Sequence, residues 1–167
     1  GSNNLGNADG DEQTVTGDLA VVDTEWHDYS AVGSECSIDW DQIASFDWLD
    51  TYLYTLVSGS IAYFPVPYDD GTILTQIRIG WQDDADNGTI AVTLQSRAYT
   101  VEAWTTEATN TFGPLGDPGV TYFQDWDFAN ETIAANTEYR IKVEFTPQVA
   151  SGLQLYNLGI ETSRREY

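Results

Sequence analysis

The sequence predicts an all-β fold, a single-domain antiparallel β-sandwich, with a jelly roll among the forms it allows. Three observations carry that reading. The first is strict alternation: Ile73, Thr75, Ile77, Ile79 and Trp81 fall on one side of a strand, with Gln76 and Arg78 on the other. Ile90, Val92 and Leu94 repeat the pattern, and Tyr139, Ile141, Val143 and Phe145 do so most cleanly against Glu138, Arg140, Lys142 and Glu144. One buried and one wet face is the mark of antiparallel sheets. The second is that such stretches recur at spacings of roughly ten residues with turn residues between them. The third is turn chemistry: Pro65 and Pro67 lead into Asp69-Asp70-Gly71, and an acidic connection ends in Asn87-Gly88, a pair suited to tight hairpins.

In chain order, residues 1–17 are rich in Gly, Asn and Asp and read as an N-terminal arm or linker, leaving 18–167 as the sandwich. Asp18–Asp23 is a first short strand. Thr24–Val57 follows, dense in aromatic and acidic residues, with a helical turn near Ile43 and Phe46 capped by Asp39, then a strand from Tyr52 to Val57. The stretches 73–81 and 89–95 form a long hairpin. Ala98–Thr106 continues the sheet, with Trp104 opposite Val101 and Ala103. Glu107–Gly119 reads as a loop, Val120–Phe128 as a strand and Thr137–Phe145 as another. In Leu153–Thr162, Leu153 and Leu155 share one parity while Tyr156, Leu158 and Ile160 share the other. That break signals a β-bulge or a strand buried on both sides.

Composition excludes several function classes. The chain has 167 residues, with 27 acidic against 6 basic side chains and a net charge of −21. Such a surface repels phosphate backbones, so nucleic acids and anionic membranes are poor partners. Basic partners, divalent cations and neutral ligands stay open. A hydrophobic fraction of 41% is too high for disorder. The sequence has no Met, which points to a processed or cloned fragment, and no apolar run long enough to span a bilayer. The single cysteine, Cys36, has no activating neighbour in sequence and reads as a small packed residue. Arg78, Arg140 and Lys142 fall on strands, as cross-strand partners for carboxylates.

The Phe64–Gly71 corner, the strands to Tyr99, the segment Thr132–Phe145 with its Asn136-x-x-Tyr139 element, and the ending Leu153–Glu161 together resemble β-sandwich modules of large, mostly uncharacterised secreted or surface proteins of bacteria. The resemblance covers Tyr52 to Thr162. It implies the fold, with its long hairpin, and an extracellular setting; it brings no catalytic or binding residues. The chain departs from the pattern at Asp69, where the group carries Pro, and in its aromatic segment 24–57.

One histidine, His27, leaves little for imidazole metal sites or Ser-His chemistry, and there is no GxSxG or phosphate loop. Paired carboxylates are too numerous to select a hydrolase pair. The chain therefore reads as non-catalytic. Turn carboxylates Asp69, Asp70, Asp83, Asp84 and Asp86 are candidate calcium ligands, with Asp117, Asp125 and Asp127 a further group; Asp is also simply a favoured turn residue. Six Trp exceed what a core of this size needs. Trp26, Trp40, Trp48, Trp104 and Trp126, each beside acidic or polar neighbours, are candidates for stacking on sugar rings, Trp104 the most exposed, whereas Trp81 belongs to the core. The leading function is extracellular carbohydrate binding, calcium-assisted if the turn clusters hold the ion. The alternative is a structural or adhesive module of a surface fibre, forming homo-oligomers through its aromatics.

Overall fold

The structure, a computed structural model, describes residues 21–29, 36–38, 46–49, 52–85, 87–114, 117–147 and 152–166, with the side chains of 21–24, 28, 48, 49 and 164–166 outside that description. Its strands are β1 (Val21–Asp28), β2 (Phe46–Leu49), β3 (Tyr52–Thr55), β4 (Ser60–Pro65), β5 (Ile73–Asp83), β6 (Thr89–Ala98), β7 (Thr105–Phe112), β8 (Thr121–Thr132), β9 (Thr137–Thr146) and β10 (Leu153–Glu166). They form a six-stranded sheet in the order β2-β3-β10-β5-β8, with β1 also on β10, and a four-stranded sheet in the order β4-β9-β6-β7. All pairings are antiparallel. From β3 onward this is the strand order of a jelly roll.

The expected hairpin of β5 and β6 is corrected here. Both strands exist, but each lies in a different sheet, so the connection between them crosses the edge of the sandwich. Asp83 explains the crossing: it is fully buried, and its carboxylate accepts from the Ala85 N–H at 3.1 Å and the Gly88 N–H at 2.5 Å. Gly88 is required for close approach, since a Cβ there would sit 2.7 Å from both Asp83 Oδ2 and Leu153 Cδ2. The Asn-Gly signal thus marks a tight passage across the sandwich.

The two sheets face each other over a core in which Trp81, Phe64, Phe145, Leu53, Leu74, Ile77, Ile79, Ile90, Leu94, Ile141, Leu153 and Leu155 are fully buried. Each such side chain contributes roughly 1.5–3 kcal/mol of burial. Trp81 is in the core, as its parity predicted, and its indole N–H donates to Gln124 Oε1 at 2.8 Å. The parity of β5 breaks earlier: Leu74 is buried and Thr75 only half-buried, because Glu161 and Thr162 of β10 oppose Gln76 and Leu74, leaving Thr75 out of register. In β10 the anticipated bulge lies between Leu155 and Asn157 and lets Leu155 and Leu158 both point inward.

Three further expectations change. Residues 99–104 form a turn instead of continuing a strand, and Glu107–Phe112, placed in a loop from its turn residues, belongs to β7, which opens at Thr105. Its Thr-rich sequence suits an exposed edge strand of a sheet. The helical turn capped by Asp39 lies outside the described residues up to position 45, and Phe46, its last member, opens β2. Residues 1–20, with the expected arm, also lie outside the description. Among the described residues no helix is long and apolar enough to cross a membrane.

Candidate functional site

The outward face of the six-stranded sheet is built by register. Across β1, β10, β5 and β8, Trp26 pairs with Glu161, Glu161 with Gln76, and Gln76 with Asp127. The next row on this face runs Gly159, Arg78, Asp125, and the one after it Asn157, Gly80, Phe123. A further row joins Tyr54, Gln154, Gln82 and Thr121.

Gly80 gives this face its shape. A Cβ there would lie 2.6 Å from Phe123 Cε1 and 3.1 Å from Asn157 Cβ, so the ring is seated directly on the glycine backbone. The other side of the ring is open, and Phe123 is 68% exposed. An exposed Phe held this way is an aromatic platform, since burying nothing on its outer side leaves apolar area for a ligand. Arg78, Asp125 and Asn157 surround it in a cleft of about 480 Å³. Arg78 is fixed on three sides: Nε meets Asp125 Oδ1 at 2.7 Å, Nη2 meets Oδ2 at 3.2 Å, and Cζ lies 4.3 Å from the centre of the Trp26 ring. The fork-on-fork pair holds its donors in one plane.

A second recess of about 320 Å³ on the same face is lined by Asp47, Tyr52, Tyr54, Asp84 and Gln154. The bulge in β10 places Tyr156 beside it, its ring 5.2 Å from that of Tyr52. The Tyr156 hydroxyl donates to Gln154 Oε1 and, at 3.4 Å, to Gln82 Oε1; the amide of Gln154 donates to Asp84 Oδ1 at 3.3 Å. Desolvation first, then the charges of Asp84 and Asp47, raise the Tyr54 hydroxyl above its ordinary value. Desolvation, then Tyr52 and Asp84, do the same for Tyr156. Both phenols are therefore neutral donors at ordinary pH. The face combines aromatic rings with amides, hydroxyls and carboxylates, which is the equipment for holding a polyhydroxylated ligand.

Among the described side chains, the predicted tryptophans Trp26, Trp104 and Trp126 do not converge. Trp26 is on this face, half-buried under Arg78. Trp126 is on the inner parity of β8, half-buried against the core and 5.1 Å from Phe128, so it is corrected from displayed to packed. Trp104, expected to be the most exposed, is also corrected: it is half-buried on the opposite sheet, with the guanidinium groups of Arg140 and Arg97 at 3.8 and 4.5 Å from its ring. Arg140 donates to Gln95 at 2.9 Å and Lys142 meets Glu144 at 2.7 Å on the same strand, whereas Arg78 has its cross-strand carboxylate. Trp40 lies outside the described residues, and so does the Trp48 side chain, whose backbone pairs with Leu53.

The acidic clusters separate as well. Asp83 points inward and holds backbone N–H groups, while Asp84 faces outward toward Gln154; Asp86 lies outside the described residues. Asp69 and Asp70 are exposed in the turn before β5, Asp117 accepts from the Tyr122 hydroxyl at 3.1 Å, and Asp125 and Asp127 are engaged by Arg78 and Gln76. Among the described residues, no group of three or more His, Cys, Asp or Glu side chains could hold a metal ion. Phe123, Asn157, Tyr52, Tyr156 and Gln82 were missed by the sequence reading. The signal for Phe123 was its shared parity with Asp125 and Asp127.

No family model and no curated protein matches the chain. Among solved structures it is similar to a family two carbohydrate esterase from Cellvibrio japonicus, at 11% identity and TM-score 0.49, over 85% of this chain and 35% of that one, so it spans about a third of the esterase's length. It is similar to a CBM4 structure at 13% identity and TM-score 0.41, over 84% of this chain and 86% of the other. It is also similar to TmCBM61 in complex with β-1,4-galactotriose, at 10% identity and TM-score 0.39, over 86% and 88%. At such low identity and overlap these likenesses carry no function to this chain.

Proposed function

We propose that the chain is a non-catalytic extracellular module that binds a neutral carbohydrate on the outward face of its six-stranded sheet. The observation that carries this reading is the Phe123 ring seated on Gly80, open to solvent and flanked by Arg78, Asp125 and Asn157. A pyranose offers an apolar face to such a ring and hydroxyls to the guanidinium, carboxylate and amide beside it. Tyr52, Tyr156, Gln82 and Gln154 extend the same chemistry along the sheet, so a chain of sugar units would lie across it. Calcium belongs to the reading only through Asp84 and Asp86, since the Asp83 carboxylate already holds two backbone N–H groups.

The test is calorimetric titration of the domain against a panel of neutral oligosaccharides, in calcium and in chelator. Saturable binding that falls at least about tenfold in Phe123→Ala is expected. Silence across the panel, or binding indifferent to Phe123, would remove the reading. Loss in chelator would reinstate a calcium site.

A further inference from the structure

The recess of about 320 Å³ beside β3 is lined by Tyr52, Tyr54 and Gln154 together with the carboxylates of Asp47 and Asp84. Register builds it: Asp47 on β2 lies opposite Tyr54 on β3, and Tyr54 opposite Gln154 on β10, so three adjacent strands bring these residues to one place. Asp84 follows the end of β5 and is held there by Gln154, whose amide donates to it at 3.3 Å. Both carboxylates act on one phenol: after desolvation, the charges of Asp84 and then Asp47 hold the Tyr54 hydroxyl above its ordinary value.

No Lys or Arg of the chain answers these two charges. The sequence has 6 such residues. Arg78 meets Asp125, Arg97 meets Glu138 and Lys142 meets Glu144, while Arg140 stands on the opposite sheet between Tyr63 and Trp104. Arg164 and Arg165 lie on β10 opposite Asp23 and Val22, roughly 30 Å along the strand from Gln154. Among the described residues, Asp84 meets the Gln154 amide, the Gln82 amide at 3.4 Å and the Tyr54 hydroxyl, all neutral donors, so its charge stays in place. Phenol rings carry negative potential on their faces, and carboxylates beside them complete the chemistry that holds an organic ammonium group.

We propose that this recess receives the protonated amine of an amino-sugar unit, in a glycan whose neutral unit lies on Phe123. The proposal rests on the reading of this face as a glycan surface and narrows the glycan to one that carries free amines. The ammonium sits between Asp47 and Asp84 against Tyr52 and Tyr54, with sugar hydroxyls toward Gln154 and Gln82. Phe123 on β8 and Tyr54 on β3 stand three strand spacings apart, about 14 Å, so a tetrasaccharide spans both. A net charge of −21 draws any polycation toward the chain, so the mark of the site is local selectivity rather than attraction as such.

The experiment is titration of the whole chain, in chelator, with the β-1,4-linked tetramer of glucosamine, with the same tetramer N-acetylated to remove its charge, and with tetralysine as a peptide source of the same ammonium groups. It is run on the wild type, Asp47→Asn, Asp84→Asn, Phe123→Ala and a control, Asp69→Asn with Asp70→Asn, which lies before β5 at the far end of that strand from Asp84. Asp47 and Asp84 are exposed, so their Asn variants keep the fold, and thermal melts check this. Expected are binding of the amine form about tenfold tighter than that of the acetylated form, loss of the gain in Asp47→Asn and in Asp84→Asn, its survival in the control, and weaker binding of both forms in Phe123→Ala. No binding of the amine form, a gain that survives both recess variants or falls as far in the control, or tighter binding of tetralysine would overturn the amino-sugar site. Equal binding of the two forms, both weakened in Phe123→Ala, would overturn the recess alone; indifference of both forms to Phe123→Ala would remove the glycan surface on which it rests.

Discussion

The two outward faces of the sandwich spend their aromatic residues differently. On the six-stranded sheet, Phe123 rests on Gly80 and turns its free side to water, while Arg78 is drawn aside by Asp125 and Trp26. On the four-stranded sheet, Tyr63 and Trp104 are committed to arginine. Both faces pair cations with carboxylates, but the first leaves a ring open to solvent and the second commits its rings to the guanidiniums. Two faces of one acidic chain thus differ in whether their aromatic rings stay open, which composition alone would not separate.

The largest expected effect tests whether the faces share one foundation. Trp81→Ala empties the core beneath both and should cost about 3–5 kcal/mol in urea unfolding, with loss of ligand binding. An unchanged unfolding midpoint would show that the sheets hold their shape independently. Next, Asp83→Ala removes the acceptor for two buried backbone donors and should cost about 1–3 kcal/mol each way it is measured, by heat or denaturant, with or without chelator. A chelator-dependent difference would give Asp83 a cation after all.

The sharpest contrast lies in two ring deletions. Phe123→Ala should change stability by less than about 0.5 kcal/mol, because the residue is 68% exposed, and act on ligand binding. Trp104→Ala should cost about 1–2 kcal/mol from its two guanidinium contacts. Equal melting shifts would erase the distinction between the faces. Gly80→Ala should behave as Phe123→Ala does, since the added methyl displaces the ring from its seat.

A further effect is confined to high pH. Burial, then the hydrogen bond to Glu131 at 3.0 Å, pushes the Tyr139 hydroxyl from 10.0 up to about 12. Between those values the folded chain keeps a proton that the unfolded chain has lost, so stability is full below pH 10 and declines as pH rises toward 12. Tyr139→Phe should flatten that decline, measured as melting temperature against pH; an unchanged slope would dismiss Tyr139 as its source.

The sandwich was legible in the sequence because core and solvent alternate faithfully in β6 and β9, and because the parity break at Leu155–Leu158 announced its bulge. Which strands pair was not. Asn87-Gly88 carries the same local chemistry whether the chain doubles back within a sheet or crosses between sheets, and only the buried Asp83 carboxylate decides. The site was half legible. Trp26 lies against Arg78 on the face that carries Phe123, but composition drew attention to tryptophan when the open ring is Phe123, whose exposure depends on a glycine in a neighbouring strand. Trp104 was placed on a strand that is in fact a turn, and the arginines that cover it come from β6 and β9. Such cross-strand company leaves no trace in local sequence.

The position of β10 governs how the chain can fold. It pairs with β1, β3 and β5, joining residues from 70 apart, at Leu153 and Asp83, to 145 apart, at Glu166 and Val21, and the six-stranded sheet falls into the pairs β2-β3 and β5-β8 without it. During synthesis, those pairs must wait on the ribosome until β10 emerges, their apolar faces open meanwhile. Contacts so distant in sequence make for slow folding, and a chain interrupted before Leu153 would be a substrate for chaperones and proteases.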